Sequence, residues 1–320
     1  MSEQEQKRRR GGGRAGNALR RGSASIEQMP WHLPINNDSP TEPLNEAGIM
    51  AIHEGAMRIL EEIGVEFLNE KALRILKKAG CKINEQNVRM DRHFVMEMVA
   101  KAPSTFEITP RNAKRKITVG GPYILFGNVS SPPAYWDLEI NKKIPGSREM
   151  CANFCKLSQY FNCIHFLGGY PVEPVDLHPS TRHLDAVFDK LILSDKVAHA
   201  YSLGKERVED VMEMVRIAGN LSHDEFEASP KMFTNINSTS PLKHDEPMLD
   251  GWMRLAEKNQ ALIVTPFTLA GAMAPVTMAG AVAQSIAEAL CVVALAQYIR
   301  SGAACAVSYT HLTLPTKRIV

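Results

Sequence analysis

The residues best placed to act on a ligand in this sequence are polar but uncharged. The run "NINSTSP" carries Asn235, Asn237, Ser238 and Ser240, and "TPFTL" adds Thr265 and Thr268. Amides and hydroxyls orient a ligand by hydrogen bonding but are poor general acids or bases near neutral pH. Each of them would serve equally well as a loop or helix cap. Aromatic residues recur beside these runs: Phe166, Tyr170, Tyr201 and Phe267. Their rings could wall a pocket for an alkylated ammonium by cation–π attraction, or simply pack a core. His165 and His199 alternate with apolar neighbours, which favours satisfied core histidines over ligands. "STRHLD" offers Arg182, His183 and Asp185 at a helix start, with Ser180 as the expected cap. Cys151, Cys155 and Cys163 are the only cysteine cluster, but Cys163 lies in a strand pattern and a fourth zinc ligand has no candidate, so no metal site is expected. No Ser/His/Asp or Cys/His constellation assembles from local spacing.

The elements that must position these groups follow from periodicity. Asn45 caps a helix whose stripe is Ile49, Ile52, Ala56, Ile59 and Ile63, with Gly64 as its stop. "NEKALRILKKAG" and "DRHFVMEMVAKAPS" supply two more helices. The period then changes to two in "TFEITP", "KRKITVGG", "YILFGNV" and "AYWDLEI", which read as short strands or hairpins. From residue 146 onward, strands at "CIHFLGG", "VAHAYSL", "MFTNIN", "ALIVTPF" and "AACAV" alternate with helices near 181–193, 205–218, 246–258 and 278–299. That recurrence is the length of a βαβ unit, so a parallel α/β sheet is expected, as a barrel or an open doubly wound sheet. Its neutral polar residues then fall at the carboxyl ends of strands, where such folds place their sites.

The run from 259 to 299 contains one formal charge, Glu288. Pro266, Gly271, Pro275 and Gly280 cut it into strand, loop and helix, and Glu288, Gln284 and Gln297 would lie inside a bilayer; a buried core helix fits better than a membrane span. Residues 265–284 contain neither GxGxxG nor GxxxxGK[ST], which removes a phosphate loop there. Lys plus Arg number 37 against 35 Asp plus Glu, and the small excess sits in the arm "KRRRGGGRAGNALRR" at 7–21, so the body is acidic and no nucleic-acid partner is expected. The arm has no apolar signal-peptide core, and six scattered cysteines suit a reducing cytoplasm.

These segments together resemble the trimethylamine methyltransferase family of cobalamin-dependent methyltransferases. The resemblance is carried by "RRRGGGRAGNALRR", "ILEEIGVEF" with "ALRILKKAGCKI", "VAKAPSTFEI", "NINSTSPL", "TLAGAMAPVTMAGAVAQSIAEAL" and "SGAACAV". It implies a TIM (β/α)8-type barrel with an N-terminal α+β elaboration. The activity it implies is methyl transfer from a methylated amine, trimethylamine or a quaternary amine such as glycine betaine, to the cobalt of a corrinoid on a partner protein. The methyl donor would be held by Asn237, Ser238, Ser240, Thr265, Phe267, Thr268 and Tyr201, with no tightly bound metal of the chain's own and a homo-oligomer at full length. The alternatives are a non-catalytic barrel that binds a corrinoid protein or other partner, and a nucleic-acid-binding arm.

The expected organisation is a basic arm and linker at 1–44, a helix-and-hairpin module at 45–145, a partial barrel at 146–307, and a tail at 308–320. Five barrel strands are identifiable, family chains continue further, and the family's pyrrolysine position would fall beyond residue 320. The tail "SYTHLTLPTKRIV" breaks the pattern and reads as a non-native end, although "YTHLTL" alternates acceptably for a strand. An unclosed barrel of this kind is expected to be inactive and poorly soluble.

Overall fold

A computed structural model describes residues 26–39 and 41–308. The basic arm and the tail from residue 309 lie outside the described residues. Helix α1 (Glu46–Arg58) starts where the Asn45 side chain accepts the Gly48 amide at 2.9 Å. Its last turn widens into a π-turn (Ile59–Ile63), which ends at Gly64 with φ +86°. The buried arc is Ala56, Met57 and Leu60, whereas Ile49 and Ile63 are exposed. The expected isoleucine stripe is therefore rotated. Small residues on this face allow close approach to another helix, with the Gly55 position within van der Waals reach of Ala283, and the π-turn carries Ile63 off the buried side.

Strand β1 (Val65–Phe67), helix α2 (Glu70–Lys78), hairpin β2 (Lys82–Asn84) and β3 (Asn87–Arg89), and helix α3 (Arg92–Val99) follow. Asn69 and Asp91 cap α2 and α3 with their side chains. Two further hairpins are β4 (Thr105–Ile108) with β5 (Ile117–Gly120), and β6 (Ala134–Asp137) with β7 (Lys142–Pro145).

The remainder alternates helices and strands in a mixed α/β arrangement: α4 (Arg148–Tyr160), α5 (Arg182–Leu193), β8 (Ala198–Tyr201), α6 (Lys205–Ala218), α7 (His223–Ala228), β9 (Met232–Ile236), β10 (Lys243–His244), α8 (Glu246–Glu257), β11 (Ala261–Val264), α9 (Met278–Ile299) and β12 (Cys305–Val307). Strands β8, β9, β11 and β12 form a parallel sheet in that order, joined by helical crossovers as parallel pairing requires. The short strand β10 leaves this region and pairs in parallel with β1, its Lys243 bridging Glu66 at 2.7 Å. A single sheet thus joins the first helices to the α/β portion.

"YILFGNV" and "CIHFLGG" do not form the regular strands that their periodicity suggests. Their backbone pairing with each other and toward β8 is confined to isolated parallel bridges, Gly127 to Phe166 between them and Phe166 to Val197 beside β8. Side chains take over part of the ladder: the Phe126 amide donates to His165 Nδ1 at 2.9 Å and the Gly168 amide to Asn128 Oδ1 at 3.0 Å. These segments nonetheless extend the sheet beyond β8, and among the described residues the sheet does not close on itself.

Period-two alternation divides the sheet's residues between two surfaces. Ala198, Ala200, Ile236, Leu262 and Val264 pack into the main core under α6, α8 and α9. Helix α9 is the only described helix long and apolar enough to cross a membrane, but most of it is buried inside the fold against α1, α3 and α8. Trp252 of α8 is fully buried against it and donates its indole N–H to Val292 O at 3.2 Å. Burial of one such side chain stabilises by roughly 1.5–3 kcal/mol. At the other surface, Val197, Phe233, Ala261 and Ala304, all at the amino ends of their strands, cluster with Ile108 and Ile117 of the β4–β5 hairpin. The hairpin closes that end of the concave face and leaves the carboxyl end open.

Candidate functional site

The concave face encloses a cavity of about 740 Å³. Its wall is the set of alternate side chains left over from the core: His199 and Tyr201 from β8, Phe233, Asn235 and Asn237 from β9 and its exit, Ile263 and Thr265 from β11 and its exit, and Ala306 and Ser308 from β12 and its exit. Apolar residues of the β4–β5 hairpin, Ile108, Ile117 and Val119, form the floor, while Asn128, Ser130 and Ser131 reach in from the loop before β6.

Among the described residues, no Asp, Glu, Lys or Arg lies in this wall. His199 does not supply a charge either, because burial, reinforced by the nearby Lys190 ammonium, pushes its pKa down to about 3. Its Nε2 meets Asn235 Oδ1 at 2.5 Å. Thr265 donates to Asn237 Oδ1, and its Oγ1 also lies 3.2 Å from Ile236 O. Tyr201 is the centre of a hydroxyl cluster: its OH meets Ser130 Oγ at 2.9 Å, makes a short contact with Ser131 Oγ, and accepts the Tyr170 amide at 3.0 Å. Burial raises the pKa of this phenol, which keeps it protonated. Gly169 must be glycine beside it, since its φ is +109° and a Cβ there would collide with Tyr201 OH and Ser130 Oγ. Rings complete the wall, with Phe166 edge-on to Phe233 at 5.3 Å, and His199 packed against Phe233 at 5.0 Å and Tyr201 at 4.7 Å.

The structure brings Asn237, Thr265 and Tyr201 together in the cavity wall, with Phe166 and Asn235. Ser238 and Ser240 lie behind it: their hydroxyls meet at 3.0 Å and Ser240 donates to Glu288 Oε2 of α9 at 2.6 Å. Phe267 donates its amide to Ser238 Oγ at 3.3 Å and its side chain is not in the wall. Thr268 is fully buried away from the cavity. His165 is a satisfied core histidine, bonded at Nδ1 by the Phe126 amide and at Nε2 to His32 O. His199 differs from that expectation, since it faces the cavity and its Nδ1 has no partner. Ser180 caps no helix; its hydroxyl turns to His178 Nδ1 at 2.7 Å, and α5 begins at Arg182 after Thr181, which makes no side-chain cap. Cys151 and Cys155 are buried on α4 while Cys163 is exposed, and among the described residues no group of three or more His, Cys, Asp or Glu side chains could hold a metal ion. Residues that sequence reasoning missed are Asn128, Ser130 and Ser131. The signal was present in "FGNVSSPP", another polar run after an apolar segment.

A family model described as trimethylamine methyltransferase (MTTB) matches residues 9–315. The chain belongs to this family. Among similar proteins, a glycine betaine methyltransferase of Desulfitobacterium hafniense (strain Y51) is 34% identical over 259 residues, covering 81% of this chain and 54% of the relative. A proline betaine:corrinoid methyltransferase of Eubacterium limosum is 27% identical, with 78% of this chain and 53% of the relative covered. A trimethylamine methyltransferase of Desulfitobacterium hafniense (strain DSM 10664 / DCB-2) is 24% identical, with 80% and 51% covered. The chain spans about half the length of the curated relatives it matches. In this member of the trimethylamine methyltransferase family, the neutral cavity lies at the carboxyl ends of the parallel strands.

Proposed function

We propose that this chain binds the methyl donor of an amine:corrinoid methyltransferase, holding a methylated ammonium in the concave cavity so that one methyl group faces the open carboxyl end. The observation that carries this reading is the uncharged wall. A quaternary ammonium that gives up a methyl group leaves as a neutral tertiary amine, so the departing nitrogen needs no general acid. The work left to the protein is alignment, which Asn235, Asn237, Thr265 and Tyr201 provide through fixed hydrogen-bonding atoms. Phe166, Phe233 and Tyr201 offer ring faces to the cation, each worth roughly 0.5–2 kcal/mol. The corrinoid, a second substrate carried by a partner protein, supplies the cobalt that takes the methyl group as the carbon–nitrogen bond breaks and its electron pair stays on nitrogen. The parallel sheet with its flanking segments is read as an arc of a (β/α)8 barrel whose open end faces that partner.

The donor class is tested by anaerobic assay of the complete gene product with cob(I)alamin and, separately, glycine betaine, proline betaine, carnitine and trimethylamine, reading conversion to methylcobalamin by absorbance. A quaternary donor is expected to react. Absence of transfer from all four would overturn the reading and leave a non-catalytic binder.

A further inference from the structure

Beside the neutral cavity lies a second chamber of about 330 Å³, beneath the 170–182 loop and against α5 and α6. The two share Ser131, His199, Tyr201 and Leu203 as a common wall. Their electrostatics are opposite. Lys190, Arg182 and Arg207 line the second chamber with His183, against one carboxylate, Glu173. That carboxylate is already engaged by Arg182. Among the described residues, Lys190 and Arg207 have no carboxylate partner: Lys190 Nζ meets His199 O at 3.2 Å and Gly169 O at 3.5 Å and lies over the Tyr170 ring, 5.4 Å from its centroid, while Arg207 meets Pro179 O at 3.0 Å. The other ionisable groups acting on Lys190 are the buried thiols of Cys151 and Cys155 on α4.

A cation buried to this depth without a counter-ion is costly. Lys190 is 1% exposed, and its burial lowers its pKa to about 8. A second observation points the same way. Among the described residues, one buried donor of this chamber, Arg182 Nε, has no hydrogen-bond partner. His183 donates its Nε2–H to Asp210 Oδ2 at 2.9 Å, which fixes the ring beside the chamber. Buried polar atoms are nearly always paired, and an unpaired guanidinium N–H beside an ammonium without a counter-ion marks a ligand that accepts from both.

We propose that this chamber is a carboxylate-binding subsite, in which Arg207, Lys190 and Arg182 hold a small carboxylate next to the methyl-donor cavity. One carboxylate charge offsets the Lys190 and Arg207 excess without overcompensating it, and guanidinium forks suit carboxylate geometry. The carboxylate has two possible sources, the far end of a zwitterionic methyl donor that spans both chambers or a separate small acid. The subsite stands without the methyl-transfer reading; only the first source rests on it.

The test measures equilibrium binding, so a failure of methyl transfer leaves it intact. Acetate, glycine betaine and choline are titrated into the full chain by calorimetry, with Arg207→Gln and Lys190→Met as variants and circular dichroism to check folding. Arg207 lies at the chamber's edge and Lys190→Met replaces a buried cation by an apolar chain of similar length, so both variants are expected to fold. Acetate should bind, and each variant should weaken it by about ten-fold or more, the loss of one charge-assisted hydrogen bond. Glycine betaine binding more tightly than both acetate and choline assigns the carboxylate to the methyl donor; glycine betaine no tighter than acetate assigns it to a separate acid. No saturable binding of any carboxylate, or affinities unchanged in both variants, would overturn the subsite.

Discussion

Glu288 tests how the cavity is held in shape. It is completely buried, and its carboxylate accepts three hydrogen bonds: from Ser240 Oγ at 2.6 Å, the Leu242 amide at 2.8 Å and Gln284 Nε2 at 2.8 Å. Two of these donors belong to the loop that leaves β9 just after Asn237, where Leu242 has φ +53°. A bulky residue in that region is strained and persists only where its surroundings fix it. Glu288→Ala leaves the Leu242 amide and one Gln284 N–H buried without acceptors, the other Gln284 N–H keeping Met273 O, at roughly 1–3 kcal/mol each, and removes packing, for a total of about 3–5 kcal/mol. Glu288→Gln keeps the shape. Its remaining oxygen can accept from Leu242 and Gln284, and its amide can donate to the Ser240 hydroxyl, so the expected cost is within about 1 kcal/mol. With a urea m-value of about 3 kcal/mol/M, alanine should lower the denaturation midpoint by roughly 1–1.7 M and glutamine by less than about 0.4 M. Equal shifts for the two variants would refute the hydrogen-bond account, as would an alanine shift below about 0.3 M.

Other consequences are more local. His199 and His244 are buried and their pKa values are pushed down to about 3 and about 4, whereas an unfolded histidine titrates near 6.5. The unfolded chain therefore binds more protons below pH 6.5, so stability is complete above that pH and falls on acidification by roughly 1.4 kcal/mol per unit for each ring. Urea midpoints measured between pH 6.5 and 5 should decline, and His244→Asn should flatten the slope; a flat wild-type profile would contradict the burial. Gly169→Ala should displace Tyr201 and collapse the wall between the two chambers, seen as lost ligand binding and a lowered melting temperature, whereas Gly204→Ala, at φ +98° but with nothing near its Cβ, should cost only backbone strain. Native protein should show one thiol that reacts rapidly with a disulfide reagent, Cys163, since Cys151, Cys155 and Cys291 are buried and burial raises the Cys81 thiol to about 11 and Cys305 to about 12. Several fast thiols would argue for an opened core.

Much of the local structure was written in short-range chemistry. Asn45, Asn69 and Asp91 cap the helices they precede, Gly64 stops the first, and the strands β8, β9, β11 and β12 lie within the segments whose composition suggested them. Neutral polar strand ends were also legible, because the carboxyl edge of a parallel sheet is a fixed place relative to the strand pattern. Other features were not. Ile49 and Ile63 fit a helical stripe but are exposed, because the partner helix and the π-turn decide which arc is buried. "CIHFLGG" looks like a strand but hands part of its pairing to His165 and Asn128 side chains, an exchange that composition does not encode.

The sequence by itself determined the kinds of element, their order and the neutrality of the strand ends, since these depend on residues within a few positions of one another. Tertiary structure decided which alternate face of each strand meets the cavity. A strand covered on both faces carries apolar residues on each, so His199 and Asn235 cannot be assigned inward or outward until the sheet is assembled. It also decided that Lys190, Arg182 and Arg207, spread over two helices and named for no common motif, enclose one chamber. Charges that distant in the chain meet only through the packing of α5 and α6 on the sheet, and their electrostatic cost becomes visible only once water has been excluded around them.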